Sequence, residues 1–310
     1  MAESVDALVS NTSGAIRAGS TPAQGTEAWG RLLFSTLSFF TPRNSLICLW
    51  ISSSTLLEEL ALCLLISIFI TNFGAMKKSF NLILSTAKAV DFFWRTKNKQ
   101  LKRSSDSSNR GAVVGGKQLD GFIDLLRDVC LSVGVPPACI YDKNNYIPGF
   151  FRSSKDWDFI VISPSGKLLV LIELKSQVGS YGNNFNNRTE EALGNATDLW
   201  TAFREKEFPT FGTPWVGYLM LIGDDEKSTI PVRNYTNHYP VLNEFENASY
   251  IDRYRILCEK LMTERLYTSA CLIRTKDAKT YSDVTEGLSI SRFTDSLKGY
   301  LIGCASEFNK

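Results

Sequence analysis

The stretch at positions 158–177, DFIVISPSGKLLVLIELKSQ, constrains the fold more than any other part of the chain. Two apolar runs flank the turn-forming residues PSGK, and this order predicts an antiparallel hairpin. The second run, 168–172, is apolar without alternation, which is typical of a strand covered on both faces. Charged residues nevertheless stand where the two runs end, namely Asp158, Glu173 and Lys175.

The turn determines which of these residues face each other. A turn centred between Ser165 and Gly166 sets Asp158 directly opposite Glu173, and opposed residues have Cβ atoms about 4.5–5.5 Å apart. Two carboxylates at that distance repel each other, and burial increases the cost. A divalent cation is the simplest compensation, and Mg²⁺ suits the position because it binds one or two carboxylates together with water and phosphate oxygens.

Alternation along the second strand places two further groups. Lys175 shares a face with Glu173, while Leu174 points the other way and leaves its carbonyl oxygen near the metal. The pattern therefore predicts metal ligands from Asp158, Glu173 and Leu174, beside a lysine ammonium group. An isolated Glu-x-Lys is more commonly a surface ion pair at an exposed strand end, and that alternative stays open at this point.

Composition excludes several kinds of active site. The single His, His238, argues against imidazole-based metal sites and nucleophilic triads, and GxGxxG, GxxxxGK[ST] and GxSxG motifs are missing from the sequence. The seven Cys never occur in CxxC spacing, which argues against a zinc site and a disulfide framework. We expect these thiols to be reduced and mostly in the core.

The first 75 residues do not resemble the rest. The string AESVDALVSNTSGAIRAGSTPA resembles a conceptually translated bacterial transfer-RNA gene. We therefore expect residues 1–75 to be an upstream in-frame extension, with the native protein starting at Met76 and forming one domain over 76–310. The apolar region 46–73 is interrupted by acidic residues, and its longest run is shorter than the about 20 residues that span a bilayer.

Regular signals begin after Met76. Apolar residues at helical spacing predict helices at 79–100 and 117–132, with a Ser-rich linker at 103–111 between them. A Gly/Asn-rich loop at 179–188 follows the hairpin. The remaining elements give a mixed α/β order: a helix at 189–205, a strand at 215–225, a helix near 249–266, a strand at 270–275 and a helix near 291–302.

Asp158 and the run Glu173-Leu174-Lys175 resemble the PD-(D/E)xK nuclease motif, although Trp157 stands where the motif has Pro. The surrounding residues, from about Met76 to near the C-terminus, resemble the XhoI family of type II restriction endonucleases. The segments that carry this resemblance are FFWRTKNKQ, GGKQLDGF, PGFFR, KDWDFIVI, IELKSQVG, GNNFNNRTEEALGNATDLWTAFRE, PWVGYLMLI and ASYIDRYRILCEKLMTERLY.

The resemblance implies an α/β PD-(D/E)xK restriction endonuclease-like core with a mixed central sheet flanked by helices. It also implies Mg²⁺-dependent double-strand cleavage of DNA at a palindromic site, CTCGAG, by a homodimer that leaves 5′-phosphate and 3′-hydroxyl ends. Asp158, Glu173 and Lys175 would be catalytic. The enzyme would act in the cytoplasm beside a protective DNA methyltransferase, without a membrane partner.

Contacts to DNA are predicted in two places. Asn pairs with adenine and Arg with guanine, so the Asn-rich loop is expected to contact DNA through Asn183, Asn184, Asn186, Asn187 and Arg188. The alternative there is a turn with a helix N-cap at Asn187 or Thr189. From 76 to 118, ten Lys or Arg stand against two Asp, which predicts phosphate contacts from Lys97, Lys99, Lys102 and Arg103.

Glu190 is a candidate for a further acidic residue of the site, with a surface position as its alternative. Two other functions also stay open for the chain. One is a DNA-repair nuclease that carries the same motif without strict site specificity. The other is a non-catalytic DNA-binding or membrane-tethered protein, favoured by the basic block and by region 46–73.

Overall fold

A computed structural model of the protein describes residues 80–106 and 117–309, with the backbone alone for 101–106. The expected extension at 1–75 and the apolar region 46–73 lie outside the described residues. In the described part, no helix is both long enough and apolar enough to cross a membrane. The five Cys described there are unpaired and buried, as expected.

A six-stranded mixed sheet forms the centre of the fold, in the order β1-β4-β5-β6-β7-β8. The pairs β5–β6 and β6–β7 are parallel, and the other neighbours are antiparallel. The strands of this sheet are β1 (Ile140–Tyr141), β4 (Phe159–Ile162), β5 (Leu168–Gln177), β6 (Thr210–Gly223), β7 (Ser269–Asp277) and β8 (Thr280–Asp283). A separate two-stranded ribbon pairs β2 (Tyr146–Ile147) with β3 (Lys155–Asp156).

Helices cover both faces of the sheet, and together they bury two apolar clusters. They are α1 (Leu82–Asp106), α2 (Asp120–Ser132), α3 (Tyr181–Arg204), the short α4 (Glu226–Thr229), α5 (Tyr250–Thr263) and α6 (Ile290–Gly303). Residues of α1, α2 and α6 pack against one face, and residues of α3 and α5 against the other. The predicted mixed α/β class is therefore confirmed.

The hairpin has the predicted register, but two irregularities produce it. The Gly166 N–H donates to the Ser163 carbonyl and the Ser163 N–H to the Lys167 carbonyl, so the turn is earlier than predicted and Ser163 faces Lys167 in place of Leu168. A bulge then shifts the pairing between Val161 and Ile162, so that Phe159 pairs with Ile172. Because the bulge adds one residue on β5, it offsets the earlier turn, and Asp158 comes to lie opposite Glu173.

The buried run of β5 was also predicted correctly. Residues 168–174 are all buried, and consecutive residues contribute to opposite faces of the sheet from 170 onward. Leu171 belongs to the cluster under α3 and α5, whereas Ile172 belongs to the cluster under α1, α2 and α6. The same alternation turns Glu173 and Lys175 toward α3 and α5.

The prediction of an Asn-rich loop at 179–188 was wrong, because α3 begins at Tyr181 and includes this segment. Tyr181 is buried and its hydroxyl donates to the Asp225 carboxylate, while Phe185 packs edge-to-face on Tyr254. These contacts outweigh the weak helix propensity of Asn and Gly. The alternative of an N-cap at Asn187 or Thr189 is wrong as well, since both lie inside the helix.

The predicted linker at 103–111 begins too early, and here local propensity gives the reason. Helix α1 continues to Asp106, through a sequence rich in Lys, Gln and Arg, which are good helix formers. The other predicted helices and strands are present, with ends that differ by a few residues.

Candidate active site

Asp158 stands immediately before β4, at the open end of the hairpin. Its Oδ2 accepts a hydrogen bond of 2.7 Å from the backbone N–H of Leu174. Burial, followed by the negative charge of Glu173, raises the pKa of Asp158 to about 6, against the lowering effects of that N–H and of two lysines. Loss of solvent is the larger cause of the raised pKa of Asp158, and the nearby charge of Glu173 adds to it.

Glu173 is completely buried on β5 and is held between two lysines. The Nζ of Lys155 lies 3.0 Å from its Oε2, and the Nζ of Lys175 contacts its Oε1. Among the described residues, neither oxygen accepts a hydrogen bond of regular geometry, although both are shielded from solvent. A buried carboxylate that depends on two ion pairs for compensation is costly to desolvate, so its position indicates a role other than stability.

Lys175 connects this pair to helix α3. Its Nζ lies 3.6 Å from Oε2 of Glu191, and that carboxylate also accepts a 2.8 Å bond from Arg188. Burial lowers the pKa of Lys175, but Glu173, Asp158 and Glu191 raise it by more, so the net direction is upward. The side chain is therefore a stable ammonium ion at neutral pH in this environment.

The arrangement fits a hard divalent cation. Asp158 and Glu173 supply carboxylate oxygens, and the buried oxygens of Glu173, held here by lysine ammonium groups, are those a cation would contact in their place. No cluster of three or more Asp, Glu, His or Cys side chains occurs in the described ranges. Two carboxylates are nevertheless sufficient for Mg²⁺, which completes its shell with water and phosphate oxygens.

Two residues of the site were missed by sequence reasoning. Lys155 comes from β3, and the pairing of β2 with β3 leads it to Glu173. Nothing in the local pattern marks this lysine, because its partner lies on another element. Glu191 lies within the predicted helix at 189–205, but Arg188 was assigned to the loop before it. The three-residue spacing of the pair therefore carried no signal until the earlier start of α3 was known.

The other predicted site residues are spread over α3 and α1. Asn183, Asn186, Asn187 and Glu190 are exposed, and Arg188 is partly buried through its contact with Glu191. Asn184 donates to the Ser180 carbonyl, one turn earlier in the chain. Glu190 points away from the cluster that its neighbour Glu191 joins.

The predicted basic residues differ in their surroundings. Lys97 donates to the Val178 carbonyl at 3.2 Å, and burial lowers its pKa. Lys99 is exposed on the same helix. The side chains of Lys102 and Arg103 lie outside the described residues.

A six-stranded mixed sheet flanked by helices, with acidic residues and a lysine at the end of a buried hairpin, defines a restriction endonuclease-like core. Residues 98–286 match the family model described as restriction endonuclease XhoI. Because this match covers more than half of the chain, the protein belongs to the XhoI family of restriction endonucleases. The match includes every residue of the cluster around Glu173.

Curated relatives agree with this assignment. The chain is 49% identical over 182 residues to the type II restriction enzyme BstVI of Geobacillus stearothermophilus, covering 57% of this chain and 81% of the relative. It is 42% identical over 177 residues to the type II restriction enzyme XhoI of Xanthomonas vasicola, covering 55% and 71%. No solved structure matches the chain. The protein is thus an endodeoxyribonuclease of the type II restriction class.

Proposed function

We propose that the protein is a Mg²⁺-dependent, site-specific deoxyribonuclease that cuts both strands of DNA at a palindromic site, CTCGAG. It acts as a homodimer in the cytoplasm, leaves 5′-phosphate and 3′-hydroxyl ends, and has a protective DNA methyltransferase as its genetic partner. The observation that carries the proposal is the buried pair Asp158 and Glu173 beside Lys175, in a chain of the XhoI family.

In this proposal Asp158 and Glu173 hold the metal ion together with the carbonyl oxygen of Leu174. Bound Mg²⁺ would supply an activated water and neutralise charge on the scissile phosphate. The hydrogen bond from the Leu174 N–H fixes the orientation of the Asp158 carboxylate in advance. Preorganised ligands of this kind reduce the reorganisation needed when substrate and metal bind.

Lys175 is proposed to orient the attacking water and to stabilise the negative charge of the transition state. Its carboxylate neighbours keep its pKa high, which favours electrostatic stabilisation over proton abstraction by this group. The ammonium group of Lys155 contacts the other carboxylate oxygen of Glu173. It therefore balances the negative charge of the site while no cation is bound. It is also near enough to contact a phosphate that approaches the same carboxylate.

The proposed DNA contacts are divided between α3 and α1. The exposed Asn183, Asn186 and Asn187 lie on the first turns of α3, the helix that also carries Glu191 beside Lys175. A short helix end rich in Asn can read base edges in the major groove. The proposed phosphate contacts come from Lys99, Lys102 and Arg103. Such contacts position the DNA and do not depend on its base sequence.

One experiment tests the function. The full chain is incubated with plasmid DNA and Mg²⁺, and the ends of the products are sequenced. Discrete fragments whose ends lie within CTCGAG are expected. Unspecific smears would instead indicate a repair-type nuclease, and no Mg²⁺-dependent cutting would indicate a binding protein.

The matched controls are Glu173→Gln and Lys175→Ala. Both changes should abolish cleavage while leaving specific DNA binding in place, because they remove the chemistry and not the surface that contacts DNA. Full cleavage by either variant would contradict the assignment of these residues.

A further inference from the structure

The loop between β2 and β3 presents two adjacent aromatic side chains to solvent. Phe150 and Phe151 are 50% and 70% exposed, and their rings meet edge-to-face with centroids 5.0 Å apart. Neither side chain belongs to the apolar clusters of the described fold. Two neighbouring apolar rings in mutual contact at a loop tip form a small apolar patch, which is a candidate contact surface.

The backbone of this aromatic tip, residues 148–152, is held by one carboxylate of α3. Oδ1 of Asp198 accepts hydrogen bonds from the backbone N–H groups of Phe150 at 2.8 Å and Phe151 at 2.7 Å. Oδ2 of the same residue accepts a 2.7 Å bond from Nε of Arg152. Asp198 is 4% exposed as a residue, which makes these charge-assisted bonds strong.

Two further contacts leave the aromatic tip little freedom. Arg152 also donates to the Asn195 side chain at 2.7 Å. A Cβ on Gly149 would lie 2.3 Å from Oδ2 of Asp198, so the chain passes too close for any side chain there. The loop is therefore preorganised. Binding through its tip would cost little further conformational entropy, because folding has already ordered the loop.

Helix α3 places the aromatic tip close to the catalytic cluster. Glu191, which contacts Lys175, and Asp198, which holds the tip, are seven residues apart and lie on one side of this helix. At 1.5 Å per residue this spacing is about 10 Å. On DNA, about 10 Å corresponds to about three stacked base pairs. Lys155, which touches Glu173, is only three residues beyond the tip.

We propose that Phe150 and Phe151 form an aromatic wedge that packs against the base stack of bound DNA, about three base steps from the scissile phosphate. Apolar side chains that insert between base steps unstack them and kink the duplex, and every base offers a face for stacking. The inference rests on the proposed function only in taking double-stranded DNA as the ligand.

Charge favours DNA over a second copy of the chain as the partner of this tip. Arg152 follows the two Phe directly, and its side chain is 42% exposed although it is paired with Asp198. Lys155 lies at the other end of the loop, beside the catalytic carboxylate. In the proposed complex, the spacing of about 10 Å along α3 brings a duplex whose phosphate reaches Lys175 to the rings as well.

The test uses the full chain and short CTCGAG duplexes in EDTA, so that binding is measured without cleavage. Each duplex carries 2-aminopurine at one position in or beside the site, because this base fluoresces more strongly when it is unstacked. Wild-type protein should raise the fluorescence at one position. The double variant Phe150→Ala/Phe151→Ala should abolish that rise and weaken binding by about tenfold or more, as expected for the loss of stacking on one base.

The matched control is Tyr235→Ala/Tyr239→Ala, which removes two rings that are 81% and 82% exposed elsewhere on the surface. This control should bind and unstack DNA like the wild type. Thermal melting should show both double variants folded, since the truncated side chains are exposed.

Two results would overturn the proposal. One is an unchanged affinity and fluorescence response in the Phe150/Phe151 variant. The other is a wild-type dimer that this variant converts to monomer in sedimentation, which would assign the rings to a protein interface. Cleavage with Mg²⁺ is measured separately, so a chain that binds and unstacks DNA without cutting it would contradict the proposed nuclease and leave the wedge intact.

Discussion

At the scale of single residues, the cluster around Glu173 places like and opposite charges in a buried environment at some cost to stability. Burial and the charge of Glu173 raise the pKa of Asp158, and Lys155 and Lys175 offset only part of this effect. Functional sites commonly retain such unfavourable arrangements because binding of a ligand relieves them. The consequences can be measured in the metal-free protein.

Asp158→Asn should stabilise the metal-free protein at pH 8. The pKa of Asp158 is raised from 3.8 to about 6, so the folded state binds this proton more tightly than the unfolded state does. The ionised group therefore costs stability above pH 6, by about 3 kcal/mol, and the cost disappears as pH falls below about 4. Thermal melts in EDTA should show a rise of about 6–12 °C at pH 8.

The control for this change is Asp295→Asn, which neutralises a carboxylate that is 63% exposed in a surface pair with Lys298. Such pairs contribute little, so the melting temperature of the control should stay nearly constant. A melting temperature of Asp158→Asn that does not rise at pH 8 would contradict the repulsion inferred here. Added Mg²⁺ should stabilise the wild type more than the Asn variant.

Lys155→Met should shift Mg²⁺ binding to lower concentrations. The lysine ammonium lies 3.0 Å from Oε2 of Glu173 and so competes with a cation for this carboxylate. Met keeps an aliphatic chain of similar length beside Trp157, over which the ammonium now lies at 5.3 Å. Mg²⁺ titrations followed by thermal shift would check the midpoint, with Lys155→Arg as the variant that retains the charge. A midpoint that is unchanged or higher in Lys155→Met would disprove the competition.

At the scale of elements, α3 organises most of the site. It covers the face of the sheet that carries Glu173 and contributes Glu191, which contacts Lys175. It also holds the aromatic tip through Asp198. Sequence reasoning placed its start eight residues too late, because Asn and Gly have weak helix propensity. The packing of Tyr181 and Phe185 on residues distant in sequence made the segment helical.

Two glycine substitutions should have opposite effects on stability. Gly149→Ala forces a methyl group to within 2.3 Å of an Asp198 oxygen and 2.9 Å of the Arg152 carbonyl, so it should destabilise the protein by about 1–3 kcal/mol. Gly194→Ala lies within α3 with no neighbouring atom within 4 Å of the new Cβ. It should stabilise the protein by about 0.5–1 kcal/mol.

Urea unfolding of both variants measures these differences. The first variant should also lose DNA affinity, since its displaced loop carries the two Phe, while the second should not. Equal stability changes of the same sign would show that the loop is not held as the contacts with Asp198 indicate.

At the scale of the whole molecule, the net charge of +2 hides an uneven distribution. The basic residues of α1 form a candidate phosphate surface, yet two of its lysines differ. Lys99 is exposed, whereas Lys97 is partly buried and donates to the Val178 carbonyl. An exposed lysine can replace bound water with a phosphate group. A lysine that donates to a backbone carbonyl would first have to lose that hydrogen bond.

Lys99→Ala should lower the slope of log affinity against log salt concentration by about 1, because one phosphate contact is lost. Lys97→Ala should leave that slope unchanged and instead lower the melting temperature. Fluorescence anisotropy with a short duplex at several salt concentrations measures the slopes. Equal slope changes for the two variants would show that exposure does not separate their roles.

The sequence by itself determined the buried hairpin, the facing of Asp158 and Glu173, and the position of Lys175 on the face of Glu173. These features depend on apolar runs, a turn and strand periodicity, all of which are local. The register was nevertheless reached by two deviations that offset each other, an earlier turn and a bulge, which the local pattern did not predict.

Tertiary structure alone decided which further residues join the site. Lys155, Glu191 and Asp198 act across distances in sequence of 18, 16 and 46–48 residues, and their partners follow from how β3 and α3 pack on the sheet. No local pattern predicts such contacts. The residues next to a charged side chain in the sequence do not show whether it lies on an exposed surface or in an active site. The sequence specified the chemistry at the centre, and packing specified the groups that surround it.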